Sequence, residues 1–171
     1  MKRKSLSLIL LIFLLLAACG QKGLEEPVTL INHEEKEVTL PQEKPVLFFF
    51  LTTYTWGICQ QQLVELHKNL NELEELDIPM YIVSKDTPGE LALLHDAMVE
   101  DIGTSLPLLS DPEFQLIEQM NMRNGDVAYR GYALMDEKGN LVFKTVNDHY
   151  GEEIDQTIKE IKEEYLKLQE K

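Results

Sequence analysis

The sequence predicts an α/β fold in which a mixed central sheet carries helices on both faces and opens with an N-terminal β-hairpin. Three observations point there. Two continuous apolar runs, Val46–Leu51 and Met80–Val83, have strand length and no alternation, as strands buried on both faces do. Between them Leu63, Leu66, Leu70 and Leu73 recur at three- and four-residue steps, the period of an amphipathic helix. The chain then closes with two strand-like segments around a turn and a helix bearing one apolar stripe.

Before the domain, Lys2, Arg3 and Lys4 precede an apolar run from Leu8 to Ala18. Residues 1–18 read as a secretory signal peptide, too short and wrongly flanked for a transmembrane helix. The ending Leu16-Ala17-Ala18-Cys19 resembles a bacterial lipobox. The resemblance implies cleavage before Cys19, a diacylglycerol thioether on its sulfur, and a lipid-anchored, extracytoplasmic protein. Two or more acyl chains hold a protein at a membrane where one does not. The alternative is an ordinary signal peptide in which Cys19 is incidental. Residues 19–27 are small, charged and unpatterned, and read as a tether; 28–171 form the domain.

Within the domain, Val28–Ile31 and Glu37–Leu40 flank a polar stretch and predict the β-hairpin. Pro45 introduces the first buried strand, and a helix follows from about Cys59 to Leu76, ended by Asp77 and Pro79. After the strand at Met80, Leu91, Leu94 and Met98 predict a helix from about Gly89 to Glu100, and Leu106–Leu109 is a short apolar piece. Asp111-Pro112-Glu113 resembles a helix start, with Asp capping and Pro in the first turn. Tyr132–Met135 and Leu141–Val146 flank the turn at 136–140, and a last helix from near Gly151 carries Ile154, Ile158, Ile161, Tyr165 and Leu168. Parallel pairs joined by helices, then an antiparallel hairpin and a closing helix, resemble thioredoxin-like architecture.

Charge excludes some functions. Removal of the leader takes three of the 16 basic residues and none of the 30 acidic ones, so the mature chain carries 13 against 30, a net charge of −17. So acidic a body repels nucleic acid and anionic lipid surfaces. The chain has two cysteines, and with Cys19 taken by lipid, Cys59 is left as a single thiol with no internal disulfide available. His33, His67, His95 and His149 lack metal-ligand spacing and read as solvated; no metal or cofactor is expected.

Two stretches carry a closer resemblance. One is Phe48–Leu63, an apolar strand opening into Thr52-Thr53-Tyr54-Thr55-Trp56-Gly57-Ile58 before Cys59 starts a helix. The other is Leu108-Leu109-Ser110-Asp111-Pro112 followed by Arg130-Gly131-Tyr132-Ala133-Leu134-Met135-Asp136. Together they resemble the peroxiredoxins, the alkyl hydroperoxide reductase and thiol-specific antioxidant branch of the thioredoxin-like superfamily, over roughly Val28 to Lys171. The resemblance implies a thiol peroxidase in which Cys59 attacks peroxide and Arg130, six residues before Asp136, is the active-site arginine. It also implies a thioredoxin-like or other external thiol as reductant. Departures are equally plain. The family's threonine three residues before the cysteine is Trp56 here, with Thr55 one residue further back. Its loop proline has no match, Ala133 stands where the Arg strand has Phe, and no resolving cysteine is present. Gln62 stands where relatives often have Glu.

The chemistry asks for a stabilised thiolate. A helix N-terminus offers free amides and partial positive charge, and a guanidinium adds a full charge that no relevant pH removes. Attack then yields a sulfenic acid, reduced from outside the chain. Thr55 or Thr53 is a candidate hydrogen-bond donor. Two other readings stand beside the peroxidase. Cys59 shares a stripe with Leu63, Leu66 and Leu70, so it is equally a packed residue of a redox-silent, partner-binding lipoprotein; on that reading Arg130 is a surface residue and Trp56 fills a gap. A thiol-disulfide oxidoreductase acting through mixed disulfides is the third, although its second cysteine would fall at Trp56.

Overall fold

A computed structural model describes residues 24–55 and 57–170, apart from the Ile58 side chain. The segment expected to be a signal peptide, Cys19 with its expected lipid, and Trp56 lie outside the described residues. Among the described residues no helix is long and apolar enough to cross a membrane.

The strands are β1 (Val28–Asn32), β2 (Glu37–Leu40), β3 (Val46–Phe50), β4 (Met80–Ser84), β5 (Leu108–Ser110), β6 (Arg123–Asn124), β7 (Val127–Ala128), β8 (Gly131–Met135) and β9 (Leu141–Val146). The helices are α1 (Gly57–Lys68), α2 (Asn71–Glu74), α3 (Pro88–Ile102), α4 (Gln115–Gln119) and α5 (Ile154–Gln169). Seven strands form one mixed sheet in the order β2-β1-β5-β4-β3-β8-β9, and β6 pairs with β7 separately. The β3–β4 and β4–β5 pairs are parallel, and β8 runs antiparallel to both β3 and β9.

Alternation along β3 explains why its run is wholly apolar. Leu47 and Phe49 face one core with Leu63 and Leu66 of α1, Leu91 and Leu94 of α3, and Ile158 and Ile161 of α5. Val46, Phe48 and Phe50 face the other, with Leu116, Ile117 and Met120 around α4. The two-period of a strand thus feeds two helical layers from one sequence. The expected mixed sheet with helices on both faces and an entering hairpin is what the chain forms.

Several local expectations need correction. The single helix predicted over 59–76 is two, because bonds of the i to i−3 kind tighten the chain at the break: Asn69 N–H donates to Leu66 O at 3.1 Å and Leu70 N–H to His67 O at 3.3 Å. The apolar piece before Ser110 is a sheet strand, β5. Asp111 does cap, accepting from the backbone N–H groups of Gln115, Leu116 and Ile117, but it reaches across a turn, so α4 begins only at Gln115. The β6–β7 hairpin escaped prediction, since two-residue strands have too little pattern to read.

His67 is a larger correction, being buried rather than solvated. Its Nδ1–H donates to Leu63 O at 2.7 Å, and its Nε2 accepts from Leu106 N–H at 2.8 Å, tying α1 to the segment entering β5. Burial holds this imidazole below its ordinary range, and the two bonds fit the neutral ring. His33 and His95, half-buried, stack at 4.0 Å between ring centroids. Only His149 is exposed as expected.

Candidate active site

Register brings the candidate residues to one end of the sheet. Phe50, at the carboxyl end of β3, pairs with Gly131, so Arg130 stands where β3 hands over to the loop before α1. Gly131 also pairs with Val146, so the segment 147–151 leaves β9 at the same end. Ligand sites of such sheets lie at the carboxyl ends of the parallel strands. Gly131 is obligatory here: at φ 149° a Cβ would lie 2.0 Å from Thr145 O.

The loop between β3 and α1 is held by Asp86, buried just beyond β4. Its carboxylate accepts from Thr53 Oγ1 at 3.0 Å, from Tyr54 N–H at 2.7 Å and from Ser84 Oγ at 2.5 Å. Thr53 therefore spends its hydroxyl on Asp86, and Thr55 lies exposed in the turn, outside the buried group. Cys59 follows in the first turn of α1, a turn with no acidic residue, and is fully buried.

Arg130 is not a surface residue; its side chain is 12% exposed, and Nη2 donates to Asp148 Oδ1 at 2.9 Å. The loop carrying Asp148 is itself clamped to α1 by Gln62, a fully buried amide. Gln62 Oε1 accepts from Gly151 N–H at 2.6 Å and Glu152 N–H at 3.3 Å, while Nε2 donates to Glu152 Oε1 at 3.3 Å. Gly151 is needed for that approach, since a Cβ would come within 2.4 Å of Gln62 O and 2.7 Å of its Cα.

Between the clamp and the sheet sits Tyr150, 0% exposed, its ring 5.9 Å from Phe49 and 6.5 Å from Tyr132. Its backbone oxygen accepts from Thr157 Oγ1 at 2.9 Å, fixing it to α5. Burial pushes the Tyr150 phenol well above the usual range; the nearby Cys59 raises it further, and the Arg130 guanidinium opposes. Cys59, Arg130 and Tyr150 therefore share one electrostatic neighbourhood. Among the described residues no group of three or more His, Cys, Asp or Glu side chains could hold a metal ion.

The structure thus places Cys59 and Arg130 each near Tyr150 and leaves Thr55 exposed. Asp86, Asp148 and Tyr150 were missed from sequence. They belong to polar loops without periodicity, and the only hint was their place just after strand-like segments, where loops build sites.

Known proteins share this chain's sequence pattern and fold. The AhpC/TSA family model matches residues 24–144. The Pyropia yezoensis protein ycf42, which carries a peroxiredoxin name, is 30% identical over 119 residues, 67% of this chain and 59% of that one. A thioredoxin peroxidase of Trypanosoma brucei rhodesiense is 26% identical over 163 residues, covering 85% and 80%. The chain spans only about three fifths of the length of the first curated relatives it matches, 59% in each case. In fold, it resembles the crystal structure of peroxidoxin BcpB from Mycobacterium tuberculosis, with a TM-score of 0.64 at 16% identity over 83% of this chain and 97% of that one.

Proposed function

The chain belongs to the AhpC/TSA family, and from that premise we propose that it is a lipid-anchored, extracytoplasmic thiol peroxidase working through a single cysteine. The observation that supports the reading is that Cys59, in the first turn of α1, and the largely enclosed Arg130 guanidinium both lie close enough to Tyr150 to act on it. A fixed cation and the amides of a helix N-terminus both favour a thiolate over a thiol.

The thiolate attacks one oxygen of a hydroperoxide. The S–O bond forms as the O–O bond breaks, sulfur is oxidised to the sulfenic acid, and the departing alkoxide takes up a proton to leave as alcohol or water. An external thiol then condenses with the sulfenic acid, releasing water and leaving a mixed disulfide. A second thiol, from a small molecule or a thioredoxin-like protein, exchanges to free Cys59. Cys59 is the one cysteine among the described residues, which motivates external resolution. Anchoring rests on the Leu16-Ala17-Ala18-Cys19 ending and the basic, apolar leader before it.

One observation favours the redox-silent, partner-binding reading: the sulfur is fully buried, so peroxide reaches it only if the start of α1 opens. A single experiment separates the two. The folded full chain is treated with hydrogen peroxide and a sulfenic-acid trap, and adducts are mapped by mass spectrometry. The peroxidase gives a rapid adduct on Cys59. A Cys59 modified only after unfolding means a binding module, and mixed disulfides without any peroxide reaction mean a thiol-disulfide exchanger.

A further inference from the structure

The Tyr150 hydroxyl is fully buried and has no hydrogen-bond partner among the described residues. Such a group costs stability, since a phenol taken from water normally finds a partner. Its surroundings make the position rigid. Phe49 and Tyr132 hold the ring, Thr157 holds the backbone oxygen, and the next residue, Gly151, is pinned to Gln62. A tyrosine so firmly placed, with a donor left over, has its hydroxyl kept for something that enters the site.

The neighbours say what enters. Cys59 packs in the same core cluster, and both Cys59 and Arg130 act electrostatically on the phenol. The hydroxyl makes no hydrogen bond to the sulfur, so it does not serve the thiolate itself. We propose that Tyr150 is a catalytic residue that donates a hydrogen bond to the leaving oxygen of a hydroperoxide bound between the Cys59 sulfur and the Arg130 guanidinium. This deepens the peroxidase reading and rests on it. As the thiolate bonds to the near oxygen, the O–O bond breaks and charge gathers on the far one, where a preorganised donor acts most strongly. The alkoxide takes its proton from water. Tyr150 keeps its own, because burial makes a phenolate unfavourable there. The hydroxyl in the buried group is thus that of Tyr150, while Thr55 faces solvent.

The test is Tyr150→Phe in the full chain, which removes one oxygen and keeps the ring. Three quantities are read: the rate of Cys59 sulfenic-acid formation with hydrogen peroxide, the pH profile of Cys59 alkylation by iodoacetamide, and Tm. The expected result is a peroxide rate lower by about tenfold or more, with the alkylation profile unchanged and Tm unchanged or raised, since no bond within the protein is lost. Equal peroxide rates in variant and wild type overturn the inference and leave the peroxidase standing. A parallel fall in alkylation places the hydroxyl on sulfur and also overturns it, as does a drop in Tm, which marks a structural partner. A wild-type Cys59 inert to peroxide removes the peroxidase reading and this one with it.

Discussion

Arg130 and Asp148 form an ion pair just outside the sheet, 2.9 Å between Nη2 and Oδ1. The guanidinium is nearly buried while the carboxylate is 58% exposed, so the pair is screened on one side only. Its direct contribution to stability is small, about 0–1 kcal/mol. On the peroxidase reading its effect on reactivity is larger, because a carboxylate paired with a guanidinium weakens the field that the guanidinium offers to an anion. Asp148→Asn is therefore expected to speed peroxide reaction and alkylation of Cys59 at neutral pH, by roughly two- to fivefold, as a modest electrostatic relief would. Arg130→Met should slow peroxide reaction by about a hundredfold, the scale for losing a positioned charge at a reacting centre. Stopped-flow rates on both variants check this, and an Asp148→Asn protein slower than wild type would contradict it. From the sequence, Cys59 could be singled out as a lone thiol at a helix start, and Arg130 through the family resemblance, six residues before Asp136. Asp148 could not, since an acid in a chain this acidic carries no signal of its own.

At the scale of elements, the segment from β9 to α5 matters most. It supplies Asp148 to the arginine and Tyr150 to the buried group, and Gln62 holds it against α1. The expected start of the last helix near Gly151 lies inside this segment; α5 begins at Ile154, and Gly151 and Glu152 ahead of it give their N–H groups to Gln62. Gly151→Ala puts a methyl group into the backbone of Gln62 and should cost about 1–3 kcal/mol, with the segment displaced from the helix. Peroxide reactivity should fall together with Tm. A variant of wild-type Tm would mean that the two backbones do not approach as described. The broken helix before β4 is a similar case. The leucine period runs unbroken through the junction, and the turn at Asn69 interrupts it without changing which residues face inward, so periodicity reads the face and misses the break.

Across the whole molecule, the buried histidine makes stability depend on pH. His67 is held neutral and below its usual range by burial, while the unfolded chain protonates it near its ordinary value of about 6.5. A base depressed in the folded state adds stability above that value and loses it as pH falls toward the folded one. His33, lowered by burial and by His95, acts in the same direction. Tm should thus fall between about pH 7 and about pH 5, before the carboxylates titrate. Thermal melts across that window, with an NMR titration in which His67 resists protonation, test it; a flat Tm would contradict the neutral, bridging imidazole.

By itself, the sequence determined the layers. Short unbroken apolar runs bounded by turn residues fit strands covered on both faces, and the helical stripes supply the covers. It also pointed to one sulfur, and through a family resemblance to one guanidinium, as candidates for chemistry. Tertiary structure alone decided that β8 pairs with β3, bringing Arg130 to the carboxyl end of β3, that Thr55 is exposed, and that Tyr150 stands in the core with its hydroxyl unmatched among the described residues. Those outcomes depend on pairing between segments distant in the chain and on the path of loops. Neither leaves a period in the residues, because a loop is shaped by single contacts such as that of Gln62 with Gly151.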